Sequence, residues 1–145
     1  MIWNIIPNND RLSLWKKLRD DIKDLPLYSQ LERIAEFFSD TPYGTRTLDY
    51  YNPTNWPTPW EILFYGSFCP SSISLLIYYT LILLPNEKEI ELILVEDVDG
   101  IYLLPMVNNH LVLNYHLGEV SKYSNICDNF KVLKKYTPEQ IRKIT

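Results

Sequence analysis

Apolar positions recur at helical spacing along the first forty residues of the chain. The first apolar stripe is formed by Leu12, Trp15, Leu18, Ile22 and Leu25. Asn9 and Asp10 precede this stripe and predict its N-terminal cap, while Pro26 predicts its end. The second stripe is formed by Leu31, Ile34, Ala35 and Phe38. Ser29 and Glu32 have the spacing of a capping box at its start. The pattern therefore predicts two helices whose apolar faces point into a core.

The middle of the chain is irregular and then becomes helical again. Residues 40–59 contain several prolines and no sustained periodicity, so they predict a long segment packed on the surface. Thr58 is a suitable cap for a helix over residues 60–65, and Gly66 ends it. A strongly apolar run over residues 73–84 predicts a buried helix. Pro70 suits the first helical position, which places Cys69 at the N-cap.

The second half of the chain has the alternation and β-branching of strands. Three strands are predicted over residues 89–96, 101–107 and 110–117, with a turn at 97–100. Asn108-Asn109 predicts a two-residue type I′ turn, and Pro105 predicts an edge or a bulge within the second strand. Residues 122–136 have a mixed pattern, and Thr137 predicts the start of a short basic C-terminal helix. Helices followed by a meander of strands indicate an α+β fold.

The length and this order of elements predict a single domain over residues 1–145. We divide it into N-terminal helices (1–39), an irregular segment with the cysteine-bearing helix (40–85), antiparallel strands (86–121) and a C-terminal segment (122–145). The apolar run at 73–84 is shorter than the roughly twenty residues of a membrane span. Residues 1–17 lack the pattern of a signal peptide, so we expect a protein that is not secreted.

Composition excludes some classes of partner and leaves others open. The net charge of −4 gives no basic field for nucleic acid or for an anionic membrane. Eleven Tyr and four Trp are many for 145 residues, and such rings serve in cores, interfaces and grooves alike. Two cysteines, Cys69 and Cys127, do not form a disulfide framework. Free thiols in a cytosolic setting are the favoured interpretation, although a bridge between the two stays open.

Cys69 is the one residue whose position suggests chemistry. A thiol at a helix N-terminus lies at the positive end of the helix dipole, which favours the thiolate. Small residues nearby, Ser67, Ser71 and Ser72, leave space for backbone amides to approach a ligand. The competing interpretation is a buried cysteine that packs as a small apolar side chain, and placement alone favours it.

The residues ahead of Cys69 add a family resemblance. Residues 55–63 read Asn-Trp-Pro-Thr-Pro-Trp-Glu-Ile-Leu, and Gly66 and Cys69 follow. This stretch resembles the segment before the nucleophile in transglutaminase-like cysteine peptidases of bacteria and phages, which share the papain-like core. The order of elements over residues 28–117 is also similar. The resemblance implies a helix bearing the nucleophile that packs on a small antiparallel sheet.

The same resemblance shows where this chain departs from the family. Pro70 and Ser71 replace the acidic pair that normally follows the cysteine. Ile101 stands where the family has its catalytic histidine, and Asn114 stands where it has the aspartate that orients that histidine. A cysteine without an imidazole lacks both a base and a proton donor. The resemblance therefore implies a member that has lost its catalytic partners.

Only two histidines could replace the missing base. If Asn108-Asn109 forms a two-residue turn, Val107 pairs with His110 and Ile101 pairs with His116. His110 then lies about 20 Å along the strand from Ile101, whereas His116 lies directly opposite it. His116 is thus the better substitute, with Asn114 to orient it, unless the register differs. A surface position on a strand is the competing and favoured interpretation for each histidine.

Two functional hypotheses follow from these residues. The first is a non-catalytic module, structural in a virion or binding a host protein, as the family's phage distribution and the Asn-, Ile-, Tyr- and Lys-rich composition suggest. Its expected partner surface is Tyr43, Tyr50, Tyr51, Trp56 and Trp60. The second is a cysteine hydrolase or acyltransferase that uses Cys69, His116 and Asn114. Neither needs a cofactor, and the acidic turn at residues 96–99 lacks the spacing of a calcium loop, so no metal is expected.

Overall fold

The computed structural model describes residues 7–41, 48–66 and 68–144, which form five helices and a five-stranded antiparallel sheet. The helices are α1 (Asn8–Ile22), α2 (Leu27–Phe38), α3 (Pro59–Tyr65), α4 (Pro70–Leu83) and α5 (Tyr123–Ile126). The strands are β1 (Ile90–Asp97), β2 (Gly100–Val107), β3 (Leu111–Leu113), β4 (Val120–Lys122) and β5 (Lys131–Tyr136). Short 3-10 turns lie at Pro53–Asn55 and Cys127–Asn129. The predicted α+β architecture is confirmed.

The first two helices begin earlier than the capping residues predicted. Pro7 and Pro26 occupy the N-cap positions, and neither helix start has a side-chain cap. Asn9 and Ser29 therefore lie inside helices, and the predicted caps are wrong. A proline residue starts each helix because its fixed φ, −59° at Pro7 and −57° at Pro26, already suits the entry into a helix. The backbone amides of Asp10 and Gln30 bond directly to the two proline carbonyls.

The two helices on either side of Gly66 begin as the sequence predicts. Thr58 and Glu61 form a reciprocal capping box at the start of α3, and Pro59 is its first residue. Gly66 ends α3 in the left-handed conformation, with φ of 66°. Cys69 is the N-cap of α4 and Pro70 is its first residue. Local chemistry alone determines these boundaries.

Helix α4 lies in the centre of the domain. All of its residues from Ser71 to Leu81 are buried, because the sheet packs on one side and α2 and α3 pack on the other. The buried hydroxyl of Thr80 has two hydrogen-bond partners: it accepts from Trp15 Nε1 at 2.8 Å and donates to the carbonyl of Leu76 at 2.7 Å. No helix in the described ranges is long and apolar enough to span a membrane.

The sheet has the strand order β4-β3-β2-β1-β5 and is buried on both faces. One face, including Leu92, Leu94 and Leu103, packs against α4. The other face carries Ile93, Val95, Leu104, Met106 and Val112. The chain crosses this second face through residues 123–130, because β4 and β5 lie at opposite edges. Ile126, Tyr123 and Phe130 cover the face during that crossing.

The hairpin between β2 and β3 corrects the predicted register. Asn108 and Asn109 have φ values of 53° and 55°, as a type I′ turn requires, but His110 belongs to the loop as well. Val107 therefore pairs with Leu111 rather than with His110. Strand β3 then ends at Leu113, so no residue of β3 lies opposite Ile101. The predicted pairing of Ile101 with His116 is wrong, because one extra loop residue shifts the whole register.

Pro105 lies in β2, an interior strand of the sheet. At this position β2 pairs with β1 but not with β3. Strand β3 pairs only with Met106 and Val107, so residues 100–105 of β2 have β1 as their sole neighbouring strand. Leu103, two residues away, directs its amide and carbonyl away from β1 toward α4. Because alternate residues of a strand face the same way, the missing amide of Pro105 interrupts no bond to β1. The predicted edge position is confirmed for this half of the strand.

The C-terminal segment differs from its prediction. Residues 131–136 form β5, which pairs with β1 and was missed in their mixed pattern. Residues 138–140 form one turn and no helix follows within residues 137–144. Gln140 Oε1 accepts from the Thr137 amide at 2.9 Å, as at a helix start. After this turn the Arg142 amide bonds to the Pro53 carbonyl and Ile141 is buried, so the segment packs on the domain and does not continue as a helix.

Candidate functional site

The N-terminal turn of α4 holds Cys69 in a reciprocal hydrogen-bonded cap. The Sγ atom accepts from the Ser72 amide at 3.4 Å, while the Cys69 amide donates to Ser72 Oγ at 2.8 Å. Ser72 Oγ in turn donates to the Cys69 carbonyl at 3.0 Å. Ser72 thus occupies the third helical position that Glu or Gln takes in the usual capping box. The residue Cys69 is only 9% exposed.

Tyr50 links this turn to strand β2. Its hydroxyl donates to the Ile101 carbonyl at 3.1 Å and lies 3.0 Å from Ser71 Oγ. A phenol has one proton and the carbonyl can only accept, so Ser71 must be the donor to Tyr50. Ser71 Oγ itself accepts from the Leu103 amide at 3.2 Å. We call Tyr50, Ser71, Ile101 and Leu103 the tyrosine clasp.

Tyr136 holds the backbone of Tyr50 in place. The hydroxyl of Tyr136 donates to the Tyr50 carbonyl at 2.5 Å. The ring of Tyr136 packs edge-on against Trp56, whose Nε1 donates to the Asp49 carbonyl at 2.7 Å. Burial raises the pKa of the Tyr136 phenol, so the group stays a neutral donor. Both ends of Tyr50 are therefore held by the core.

Asn114 reaches the same helical turn from the end of β3. Its Nδ2 donates to the Pro70 carbonyl at 2.8 Å and to Ser74 Oγ at 2.9 Å. Ser74 Oγ donates to the Leu103 carbonyl at 2.6 Å. Asn114 has a φ of 67°, a left-handed conformation that asparagine tolerates, and this bend ends the strand. The structure thus brings Asn114 to the residue that follows Cys69.

The histidines lie elsewhere. His110 is exposed in the hairpin loop, where its amide bonds to the Val107 carbonyl and its own carbonyl accepts from Tyr123. His116 is exposed in the turn between β3 and β4, with its ring 4.7 Å from that of Tyr115. No hydrogen bond within residues 7–41, 48–66 and 68–144 joins either histidine to Cys69. A role for His116 as a base stays a prediction.

His116 instead lines a groove between α2 and β4, which we call the α2–β4 groove. It has a volume of about 810 Å³ and is lined by Tyr28, Glu32, Glu36, His116, Gly118, Glu119, Val120, Ser121, Lys122, Asn125, Ile126 and Asn129. Three of its side chains are carboxylates. None of the ion pairs of the described residues includes Glu32, Glu36 or Glu119.

The residues predicted as a partner surface divide into different environments. Trp56 is 1% exposed and belongs to the core, so its assignment to a surface is wrong. Tyr50 is half-buried within the tyrosine clasp. Tyr51 and Trp60 are 62% and 42% exposed, and Trp60 contacts Trp15 edge-on. Tyr43 lies outside the described residues.

The acidic turn between β1 and β2 is hydrogen-bonded internally, and the two cysteines form no disulfide. Within the described ranges no three His, Cys, Asp or Glu side chains are grouped closely enough to hold a metal ion. Asp97 instead accepts from the Tyr102 hydroxyl and from the Asp99 amide, and the bond from Tyr102 is the largest cause that lowers its pKa. Cys69 and Cys127 are both free thiols.

Solved structures share this arrangement of helices and sheet. No protein-family model matches the sequence, and no curated protein sequence is similar to it. Calcium-bound LapG of Legionella pneumophila has 15% identity and a TM-score of 0.73, with 97% of this chain and 84% of LapG covered. A second LapG structure has 18% identity and a TM-score of 0.73, with coverages of 90% and 76%. EGTA-treated LapG has 17% identity and a TM-score of 0.71, with coverages of 91% and 78%.

The chain has the transglutaminase-like fold. At identities of 15–18% these matches show the fold and assign no residue its role. The predicted core, a cysteine-bearing helix on a small antiparallel sheet, is therefore confirmed.

The sequence did not lead us to predict the hydrogen bonds that the serines of α4 make to strand β2. Ser71 and Ser74 are buried yet fully hydrogen-bonded, and they tie α4 to β2. The serines inside an otherwise apolar helix could have indicated these bonds, because buried hydroxyls need hydrogen-bond partners. The α2–β4 groove was also missed. Its signal was the spacing of Tyr28, Glu32 and Glu36, which lie four residues apart on one face of α2.

Proposed function

We propose that this chain is a non-catalytic domain of the transglutaminase-like fold that acts by binding another protein. The proposal is supported chiefly by Ile101, which stands where the family resemblance puts the catalytic histidine and whose carbonyl accepts a hydrogen bond from the Tyr50 hydroxyl. A hydrolase needs a base within hydrogen-bond reach of its nucleophile. The tyrosine clasp supplies only hydroxyl and amide groups here, and they are already bonded to one another.

The state of the thiol supports the same proposal. Cys69 Sγ is the acceptor of the α4 cap, and the residue is only 9% exposed. A nucleophilic cysteine is typically accessible to its substrate. The cap stabilises the start of α4 by satisfying one of the amides that a helix terminus leaves unpaired. Cys69 then serves as a capping residue and not as a nucleophile.

The proposal includes a setting for this binding. We expect a phage-encoded protein that is structural in a virion or that binds a host protein in the cytoplasm. The support for this part is the resemblance to a family common in phages and a composition rich in Asn, Ile, Tyr and Lys. A net charge of −4 favours protein partners over nucleic acid.

An electrophilic peptide probe tests the proposal. A biotinylated peptide vinyl sulfone reacts with activated active-site cysteines, and the native wild type, Cys69→Ala and Cys127→Ala are compared by mass spectrometry. The proposal predicts that Cys69 stays unmodified in the native protein and that Cys69→Ala changes nothing. Rapid modification of Cys69 that is lost on denaturation would overturn it.

A second candidate function is a cysteine hydrolase or acyltransferase with a displaced base. Two contacts favour it: the Ser72 amide points at Cys69 Sγ, and Asn114 already reaches the Pro70 carbonyl. His116 would act as the base after a rearrangement of the turn that follows Asn114. Under this alternative, Cys69 reacts with the vinyl sulfone and His116→Ala abolishes the reaction, whereas His110→Ala leaves it intact.

A further inference from the structure

Strand β4 is an edge of the sheet with an open side. It pairs with β3 through residues 120–122, and its other side faces the α2–β4 groove. An edge strand exposes amide and carbonyl groups that can pair with a strand from another chain. Three residues are short for an edge, but the exposed face of α2 provides a second wall beside them. The groove therefore offers both a backbone template and side-chain contacts.

The two walls of the groove have matching lengths. Tyr28, Glu32 and Glu36 form one stripe on α2, and the eight steps from the first to the last span about 12 Å. An extended segment covers that distance in about four residues, close to the length of β4. The volume of about 810 Å³ is in the range of peptide and small-ligand sites. A helix, with a diameter of about 10 Å, could not make the backbone contacts that β4 offers.

Charge selects the kind of segment that would bind. Glu32 and Glu36 are exposed on one wall, Glu119 lies at the start of β4, and none of the three has an ion-pair partner within the described ranges. Lys122 and His116 are the basic side chains of the lining. The carboxylates thus exceed the permanent positive charge by two. A segment with Lys or Arg side chains would complement this excess negative charge.

We propose that the α2–β4 groove binds an extended peptide segment that carries Lys or Arg and adds as a strand to β4. The proposal rests on the proposed function, since it names the partner surface of a protein-binding domain. Main-chain bonds to β4 supply the affinity, and contacts of alternate side chains with Glu32 and Glu36 select the sequence. Asn125 and Asn129 lie in the lining, where their amides can bond to the remaining peptide groups.

The test uses a peptide of about eight residues with alternating Val and Lys, long enough to cover β4. Amide resonances of the 15N-labelled protein are followed during titration with this peptide. We expect shifts at residues 120–122 and along α2, and a dissociation constant weakened about fivefold in Glu32→Gln/Glu36→Gln. The control variant Asp24→Asn/Glu87→Gln removes two exposed carboxylates outside the groove and should bind like the wild type.

Two matched peptides make the outcome decisive. A Val–Glu peptide of equal length should not bind, and a Val–Lys peptide N-methylated at alternate residues should lose binding because it cannot pair with β4. The proposal would be overturned if the Val–Glu peptide or the N-methylated peptide bound as tightly as the Val–Lys peptide. It would also be overturned if the Val–Lys peptide did not bind, or if it shifted amide resonances outside the groove instead. Self-association that depends on Glu32 and Glu36 would also overturn it, by showing that a second copy is the occupant. Failure here leaves the unreactive state of Cys69 untouched, so the two proposals fail separately.

Discussion

The turn around Cys69 and the α2–β4 groove differ in whether their polar side chains have partners within the chain. At the start of α4, the hydroxyls of Ser71, Ser74 and Tyr50 are bonded within the chain, and the thiol is used as a cap. In the groove, three carboxylates have no ion-pair partner among the described residues. Groups that are satisfied internally stabilise the fold, whereas free groups are available for ligands. Our two proposals follow this contrast: the turn around Cys69 stabilises the fold, and the α2–β4 groove binds a partner.

The largest effect is expected from Ser74, which connects three elements. Ser74→Ala leaves the Leu103 carbonyl and Asn114 Nδ2 without their shared partner in a buried position. We expect a loss of about 2 kcal/mol in the free energy of unfolding. Urea denaturation measures it, and Ser13→Ala, which removes an exposed hydroxyl on α1, serves as the control. A loss no greater than that of the control would contradict a structural role for this turn.

Tyr50 gives a smaller effect with a control in the next residue. Tyr50→Phe removes the bonds to the Ile101 carbonyl and to Ser71, at a cost of about 1 kcal/mol in the free energy of unfolding. Tyr51 is 62% exposed, so Tyr51→Phe should change stability by less than about 0.5 kcal/mol. Equal denaturation midpoints of the two variants would show that the tyrosine clasp contributes nothing.

Alkaline pH should destabilise the domain through the buried phenol of Tyr79, which lies further along α4. Burial raises the pKa of Tyr79 to about 12, and its hydroxyl donates to the Arg142 carbonyl. The unfolded phenol ionises near pH 10, so the unfolded state releases its proton first and stability falls between pH 10 and 12. Tyr79→Phe should show a shallower fall over that interval when urea denaturation is repeated at each pH. Identical slopes for variant and wild type would contradict this contribution.

The smallest effect on stability is expected in the groove. Glu32→Gln/Glu36→Gln removes charges that lack ion-pair partners, so the free energy of unfolding should change by less than about 0.5 kcal/mol. Thermal unfolding checks this, in parallel with the peptide titration. A large loss would show that these carboxylates stabilise α2, and the contrast between the two regions would then disappear.

Local chemistry in the sequence was enough to predict the helix starts around the cysteine. Thr58-Pro59 and Cys69-Pro70 cap their helices through residues three positions apart, so no distant contact was needed. Asn108 and Asn109 likewise predicted their turn conformation. The fold class followed from the order of helices and strands together with the family resemblance.

Features that depend on distant contacts could not be predicted in the same way. The register of β3 changed because His110 joined the loop, and its early end depends on Asn114 reaching α4, 40 residues away at Ser74. Trp56 was assigned to a surface because an aromatic residue suits either environment. Its burial comes from Tyr136, in a strand that was not predicted. The groove required knowledge that α2 and β4 are neighbours.

The relative alkylation of the two cysteines tests the central claim most directly. Iodoacetamide is added to the native protein at neutral pH, and modification of Cys69 and Cys127 is followed over time by peptide mass spectrometry. Cys69 is buried in its cap and Cys127 is partly exposed, so Cys127 provides the reference within the same molecule. We expect Cys69 to react more slowly, by about tenfold or more. The account would be contradicted if Cys69 reacted faster than Cys127 in the wild type and only as fast as Cys127 in His116→Ala.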